Sequence, residues 1–183
     1  MQQWWTMMSA LVPVFGVIFA GVLARKLNWL TEEADRTLVH LTVRLLFPCF
    51  IIMQMNKSEW PTGVTGIGWP PVMGFGLTAL GFLVCWAFVR PFGKSIGLPT
   101  PAHQRTFILC AGMFNYGYIP IPLMQQLYPG KGPELPTLFL HNVGVDVAMW
   151  TLGMLILAGK LGKRWWVGIF NPVMIAILIS VAV

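Results

Sequence analysis

The sequence predicts an all-α polytopic membrane protein: one five-helix repeat with a broken, proline-containing fourth helix, then the start of a sixth helix. Three observations carry this class. Only 10% of the 183 residues are charged and 56% are hydrophobic, against about 25% charged in a soluble domain. Stretches free of charge cover 1–24, 60–89, 106–130 and 165–183, each near or above the roughly 18 to 20 residues that a helix needs to cross a bilayer. The bases collect at the ends of these stretches, where a positive-inside bias would place them.

Helix 1 is expected over 6–24, closed by Arg25 and Lys26 ahead of a polar link, 28–35. Thr31, followed by Glu32 and Glu33, reads as an N-cap with acids in the first turn of helix 2, expected over 33–55 and kinked at Pro48. Trp69, Pro70 and Pro71 read as the start of helix 3, over 69–90. A Gly/Pro-rich link leads to helix 4, over 103–128, and 129–133 form a turn before helix 5, over 136–158. Residues 1–164 thus make the first repeat. The sixth segment, 165–183, opens on the interfacial pair Trp165 and Trp166. Counted from Pro172 it spans about 16 Å and from Trp165 about 28 Å, so it is expected to be a truncated span.

Net charge is +6, and its placement excludes nucleic acid, since no clustered basic stripe is present. The links after helices 1, 3 and 5 hold eight bases (Arg25, Lys26, Arg90, Lys94, Arg105, Lys160, Lys163 and Arg164), whereas the opposite side holds Lys57 and Lys131. This bias predicts an N-terminus outside and a multi-pass protein of the plasma (inner) membrane. Cys49, Cys85 and Cys110 each sit alone in an apolar stretch, without metal-ligand spacing. The N-terminus is not expected to be a cleaved signal, and without a G-x-S-x-G, H-E-x-x-H or P-loop neither an enzyme, a cofactor nor a metal is expected.

Chemistry is expected where charge or broken backbone meets the bilayer midplane. In helix 4, Pro120 and Pro122 remove donors and clash with the preceding turn, and Asn115 and Gly117 suit an unwound stretch. A broken helix is tolerated where it lines a cavity, and the second half would turn a positive dipole end toward an anion; a simple proline kink is the alternative. Depth arithmetic from the helix ends places Asn115, Arg44 and Asp146 each about 15 to 16 Å into a core roughly 30 Å thick. A charge there costs at least about 2.5 to 3.5 kcal/mol, so it pairs or serves a pathway. Arg44 and Asp146 therefore either hold helices 2 and 5 together as an ion pair, or meet a substrate carboxylate and carry a coupling ion respectively. His40, one turn from Arg44, is either a proton relay or a satisfied histidine. Asn142, four residues before Asp146 and beside His141, either shares the ion site or satisfies interhelical contacts.

The run Asn115-Tyr116-Gly117-Tyr118-Ile119-Pro120-Ile121-Pro122-Leu123 resembles the Asn- and Gly-containing segment ending in Pro-Leu of the auxin efflux carrier family, whose bacterial members are similar to the plant PIN-type carriers. Leu45-Leu46-Phe47-Pro48, residues 142–153 and the basic link before Asn171-Pro172 support the resemblance in the right order. It implies ten helices in two inverted repeats of five, with broken fourth helices crossing at the substrate site. It also implies an organic anion as substrate, auxin in plants and small carboxylates in bacteria. By the same resemblance Asn115 is a substrate contact and Pro120 or Pro122 the crossover proline; Arg44 and Asp146 match no family motif and rest on depth alone.

The function expected is therefore that of a permease for a small organic anion, working by alternating access. Asn115, Gly117, Pro120, Pro122 and Arg44 would serve the anion. Asp146, His40 and Asn142 would serve a proton or sodium ion. The alternative is a truncated or non-transporting membrane subunit, because a second repeat, or a homodimer in its place, is needed to complete the crossed site.

Overall fold

A computed structural model describes residues 2–130, 132–158 and 170–182, whose regular structure is helical, with no strand among them. Lys131, Lys160, Lys163, Arg164 and the Trp165–Trp166 pair, on which part of the charge count and the start of the sixth segment rest, lie outside the described residues.

The first helix, α1 (Gln2–Lys26), extends past both expected ends. The chain then turns through Asn28 at φ 57, a left-handed conformation that Asn tolerates better than most side chains. Across this turn Arg25 pairs with Glu32 and Asp35. Thr31 caps the next helix, its hydroxyl accepting from the Ala34 N–H at 3.2 Å. That stretch comprises α2 (Glu32–Leu41), a π-helical turn (Thr42–Leu46) and α3 (Phe47–Lys57). Pro48 has no N–H to offer the Arg44 carbonyl and its ring crowds that turn. The expected kink is taken up by the π turn, in which the Phe47 N–H reaches back five residues to the Thr42 carbonyl.

Helix α4 (Gly63–Phe92) corrects the expected start at Trp69: it begins after extended Thr62 and carries Pro70 and Pro71 inside it. Two lost donors are tolerated within a helix of thirty residues, because leaving a longer stretch of backbone unpaired in hydrocarbon costs more. Thr100 caps α5 (Pro101–Gly112), accepting from the His103 N–H at 3.3 Å. Residues 113–119 are non-helical, and α6 (Pro120–Leu127) restarts the helix at proline. Helix α7 (Glu134–Ala148) runs through a second π turn (Met149–Gly153) into α8 (Met154–Ala158), and α9 (Pro172–Ala182) closes the described chain. The stretches Glu32–Lys57, Gly66–Phe92 and Glu134–Ala158 are long and apolar enough to cross a membrane.

The chain divides into two compact units. One comprises Met1–Trp60, Tyr116–Pro136 and Pro172–Val183; in it α3 packs on α9, with Ile51, Met55, Met174 and Ile177 buried, and α1 packs on α6. The other comprises Pro61–Asn115 and Thr137–Asn171. Its core is Phe82, Val89 and Ile108, surrounded by Phe107, Leu109, Met149 and Leu152. The two halves of the broken fourth segment thus belong to different units.

Candidate functional site

In the first unit, Arg44 lies in the π turn and is exposed, as is His40 one turn before it. Pi turns are rare and concentrate at functional positions. Phe47, one turn after Arg44, stacks at a tilt against Tyr118, ring centroids 6.4 Å apart, and against Phe50 at 6.2 Å. Tyr118 belongs to the non-helical stretch between Gly117 and Pro120 and is 71% exposed. The Phe47–Tyr118 contact therefore brings the helix that carries Arg44 up to the start of α6.

The start of α6 differs from an open anion cradle. Pro120 and Pro122 have no N–H. The Ile121 N–H donates to the Gly117 carbonyl at 3.0 Å and the Leu123 N–H to the Ile119 carbonyl at 3.2 Å. The first turn thus keeps its dipole while its backbone donors are deleted or engaged. Any hydrogen bonds to an anion there must come from side chains, with Arg44 and Tyr118 in the same unit.

In the second unit, Asp146 is buried on α7, 9% exposed, and its Oδ2 accepts from the Asn171 Nδ2 at 3.3 Å. Asn142, one turn earlier, is 8% exposed. Its Oδ1 lies 3.4 Å from the His141 Nδ1, and the His141 ring stands 6.1 Å from that of Phe114, which precedes exposed Asn115. The second π turn begins three residues after Asp146, where the Thr151 hydroxyl donates back to the Val147 carbonyl at 2.6 Å.

Small residues bring α7 this close to α4. A Cβ at Gly74 would collide with the His141 carbonyl oxygen, and one at Gly144 with that of Pro71. The two backbones are in direct contact, as glycine permits between membrane helices. Alongside lies an apolar groove of about 260 Å³ lined by Pro71, Val72, Phe75, Val143, Gly144 and Val147. Among the described residues no group of three or more His, Cys, Asp or Glu is placed to hold a metal ion.

The residues singled out in the sequence thus separate. Arg44, His40, Gly117, Pro120 and Pro122 belong to the first unit; Asn115, Asn142 and Asp146 belong to the second. Sequence reasoning did not anticipate Asn171 as a partner of Asp146, the Phe47–Tyr118 contact, or either π turn. Asn171 carried one faint signal, an Asn immediately before a helix-initiating proline.

Residues 6–164 match the family described as Membrane transport protein. Among curated proteins, Protein ECM3 of Saccharomyces cerevisiae is 23% identical over 138 residues, covering 70% of this chain and 20% of that protein. The chain thus spans about a fifth of the length of the curated relative it matches. No solved structure matches the chain significantly.

Proposed function

We propose, from the premise that this chain belongs to the membrane transport protein family of auxin efflux carrier-like permeases, that it serves to move a small organic anion across the bilayer by alternating access. That it is an integral membrane protein of a transporter family follows from the match and its apolar helices. The carboxylate, the ion coupling and the orientation are the proposal. The observation that carries it is the broken fourth segment, with Tyr118 in the break touching Phe47 one turn from Arg44.

A guanidinium in a membrane segment matches a carboxylate in charge and in paired hydrogen bonds. In this reading Arg44, with the stretch 116–119 of the same unit, receives the anion, and Asn115 is a separate candidate contact. Pro120 and Pro122 hold the break open. Asp146, buried and hydrogen-bonded to Asn171, takes up the coupling proton or sodium ion, with Asn142 of the same unit as a further polar station; His40 is a separate candidate relay in the other unit. The N-terminus faces outward from the plasma membrane, because the basic links belong on the cytoplasmic side.

The test is uptake of labelled carboxylates by the complete polypeptide in proteoliposomes, with and without an imposed proton or sodium gradient. Saturable uptake that drops at least tenfold in Arg44→Ala and in Asn115→Ala is the expected result. Uptake that survives both substitutions sinks the site. Cysteine labelling from each side, at the α1–α2 link and at residue 57, decides the orientation.

A further inference from the structure

We infer that the corner joining α4 to α5 is a docking surface for the headgroup of an anionic phospholipid. Three exposed bases meet there: Arg90 in the last turn of α4, Lys94 in the link and Arg105 in the second turn of α5, with exposed His103 between them in sequence. No acidic residue occurs between Glu59 and Glu134, so nothing in this segment neutralises them.

The α1–α2 corner, which the alternation of spans assigns to the same face of the bilayer, is different. Its bases Arg25, Lys26 and Arg36 are matched by Glu32, Glu33 and Asp35, and Arg25 is already paired with two of these acids. Of these two corners, α4–α5 is the one whose positive charge is unspent.

Apolar chemistry at the same place fits a lipid rather than a soluble anion. Arg90 lies over the Trp86 ring, 5.2 Å from its centroid, and Phe88 and Phe92 pair at 5.3 Å. Trp86, Phe88 and Phe92 are each about half exposed, as suits side chains at the boundary between acyl chains and headgroups. Arg90 stacked on an indole keeps its outward N–H groups available for phosphate oxygens.

The corner is also pre-organised. The Gly93 N–H bonds to the Val89 carbonyl at 2.7 Å and the Leu98 N–H to the Gly93 carbonyl at 2.8 Å. Gly97 takes φ 87, and the Gln104 side chain donates to the Leu98 carbonyl at 3.0 Å. Beneath it lies the core of Phe82, Val89 and Ile108. The N-terminus of α5 adds its positive dipole end to the bases.

The experiment reconstitutes the complete polypeptide into phosphatidylcholine nanodiscs with phosphatidylglycerol as the minor lipid, then reads retained lipids by native mass spectrometry after mild detergent extraction. Wild type should retain phosphatidylglycerol in preference to phosphatidylcholine. Each base removed should lower that preference about fivefold, so Arg90→Gln/Lys94→Gln/Arg105→Gln should abolish it. Lys26→Gln/Arg36→Gln, at the self-paired corner, should leave it unchanged. Lys94→Gln alone keeps the test open should the triple variant not fold. Equal retention of the two lipids by wild type, full retention by the triple variant or by Lys94→Gln, an equal loss in the α1–α2 variant, or displacement by inorganic phosphate would each overturn the inference. None of these readouts involves transport, so a failure here is distinct from a failure of the proposed transport site.

Discussion

Replacing Asp146 by Asn separates a working carboxylate from a structural one. The amide is nearly isosteric, and its Oδ1 can still accept from the Asn171 Nδ2, which now lies 3.3 Å from the Asp146 Oδ2. At that distance the bond is longer than a compact charge-assisted contact of about 2.7 to 2.9 Å. It therefore belongs near the lower end of the roughly 1.5 to 3 kcal/mol given for bonds to charged groups. Against this modest loss stands removal of a charge from a site only 9% exposed, where insertion costs about 2.5 to 3.5 kcal/mol. Asp146→Asn should thus be neutral or stabilising by up to about 2 kcal/mol, while gradient-driven uptake is lost. Asp146→Ala, which leaves the Asn171 amide without that acceptor, should destabilise by about 1 to 3 kcal/mol. Denaturant unfolding in detergent, paired with uptake with and without an ion gradient, reads both quantities. If Asp146→Asn unfolds more easily than wild type, or keeps full gradient dependence, the carboxylate is structural and the coupling argument is wrong.

Further outcomes follow from the same geometry. Phe47→Ala should weaken carboxylate uptake while leaving the helices intact, since the Phe47 ring touches Tyr118 in the break; circular dichroism beside an uptake series checks it. Gly144→Leu should overpack α4 against α7, because even a Cβ there meets the Pro71 carbonyl, with an expected loss of about 1 to 3 kcal/mol or more in detergent unfolding. Thr31→Ala removes the acceptor of the Ala34 N–H and should cost about 1 kcal/mol. Arg25→Gln, whose acids are exposed, should cost under about 1 kcal/mol and less still in high salt.

Much of this fold was legible in the sequence because a membrane restricts what a polar atom can do. Pro120 and Pro122 announced the break between α5 and α6: prolines without N–H groups are best placed in the first turn of a helix, where donors lack intrahelical acceptors, and both lie in the first turn of α6. The same logic misled at Pro70 and Pro71. Adjacent prolines read as a helix start, yet α4 begins at Gly63 and carries them through, because ending the helix there would expose more backbone than the two donors it loses. The π turns left little trace. One lies immediately ahead of Pro48, but the other, at Met149–Gly153, contains no proline at all. The bond between Asp146 and Asn171 joins residues 25 positions apart, a distance no local pattern covers. Arg44 and Asp146 were found by depth, which identifies unusual charges without saying which groups they meet.

The glycine contact between α4 and α7 has a mechanical consequence. Packed helices usually slide by exchanging side-chain rotamers, which act as a cushion between two backbones. At Gly74 with His141, and at Gly144 with Pro71, backbone lies on backbone, and a peptide carbonyl has no rotamer to give. Any shift of one helix past the other at these two points would have to move backbone rather than a side chain. Asp146 lies two residues beyond Gly144, on the helix that this contact holds against α4.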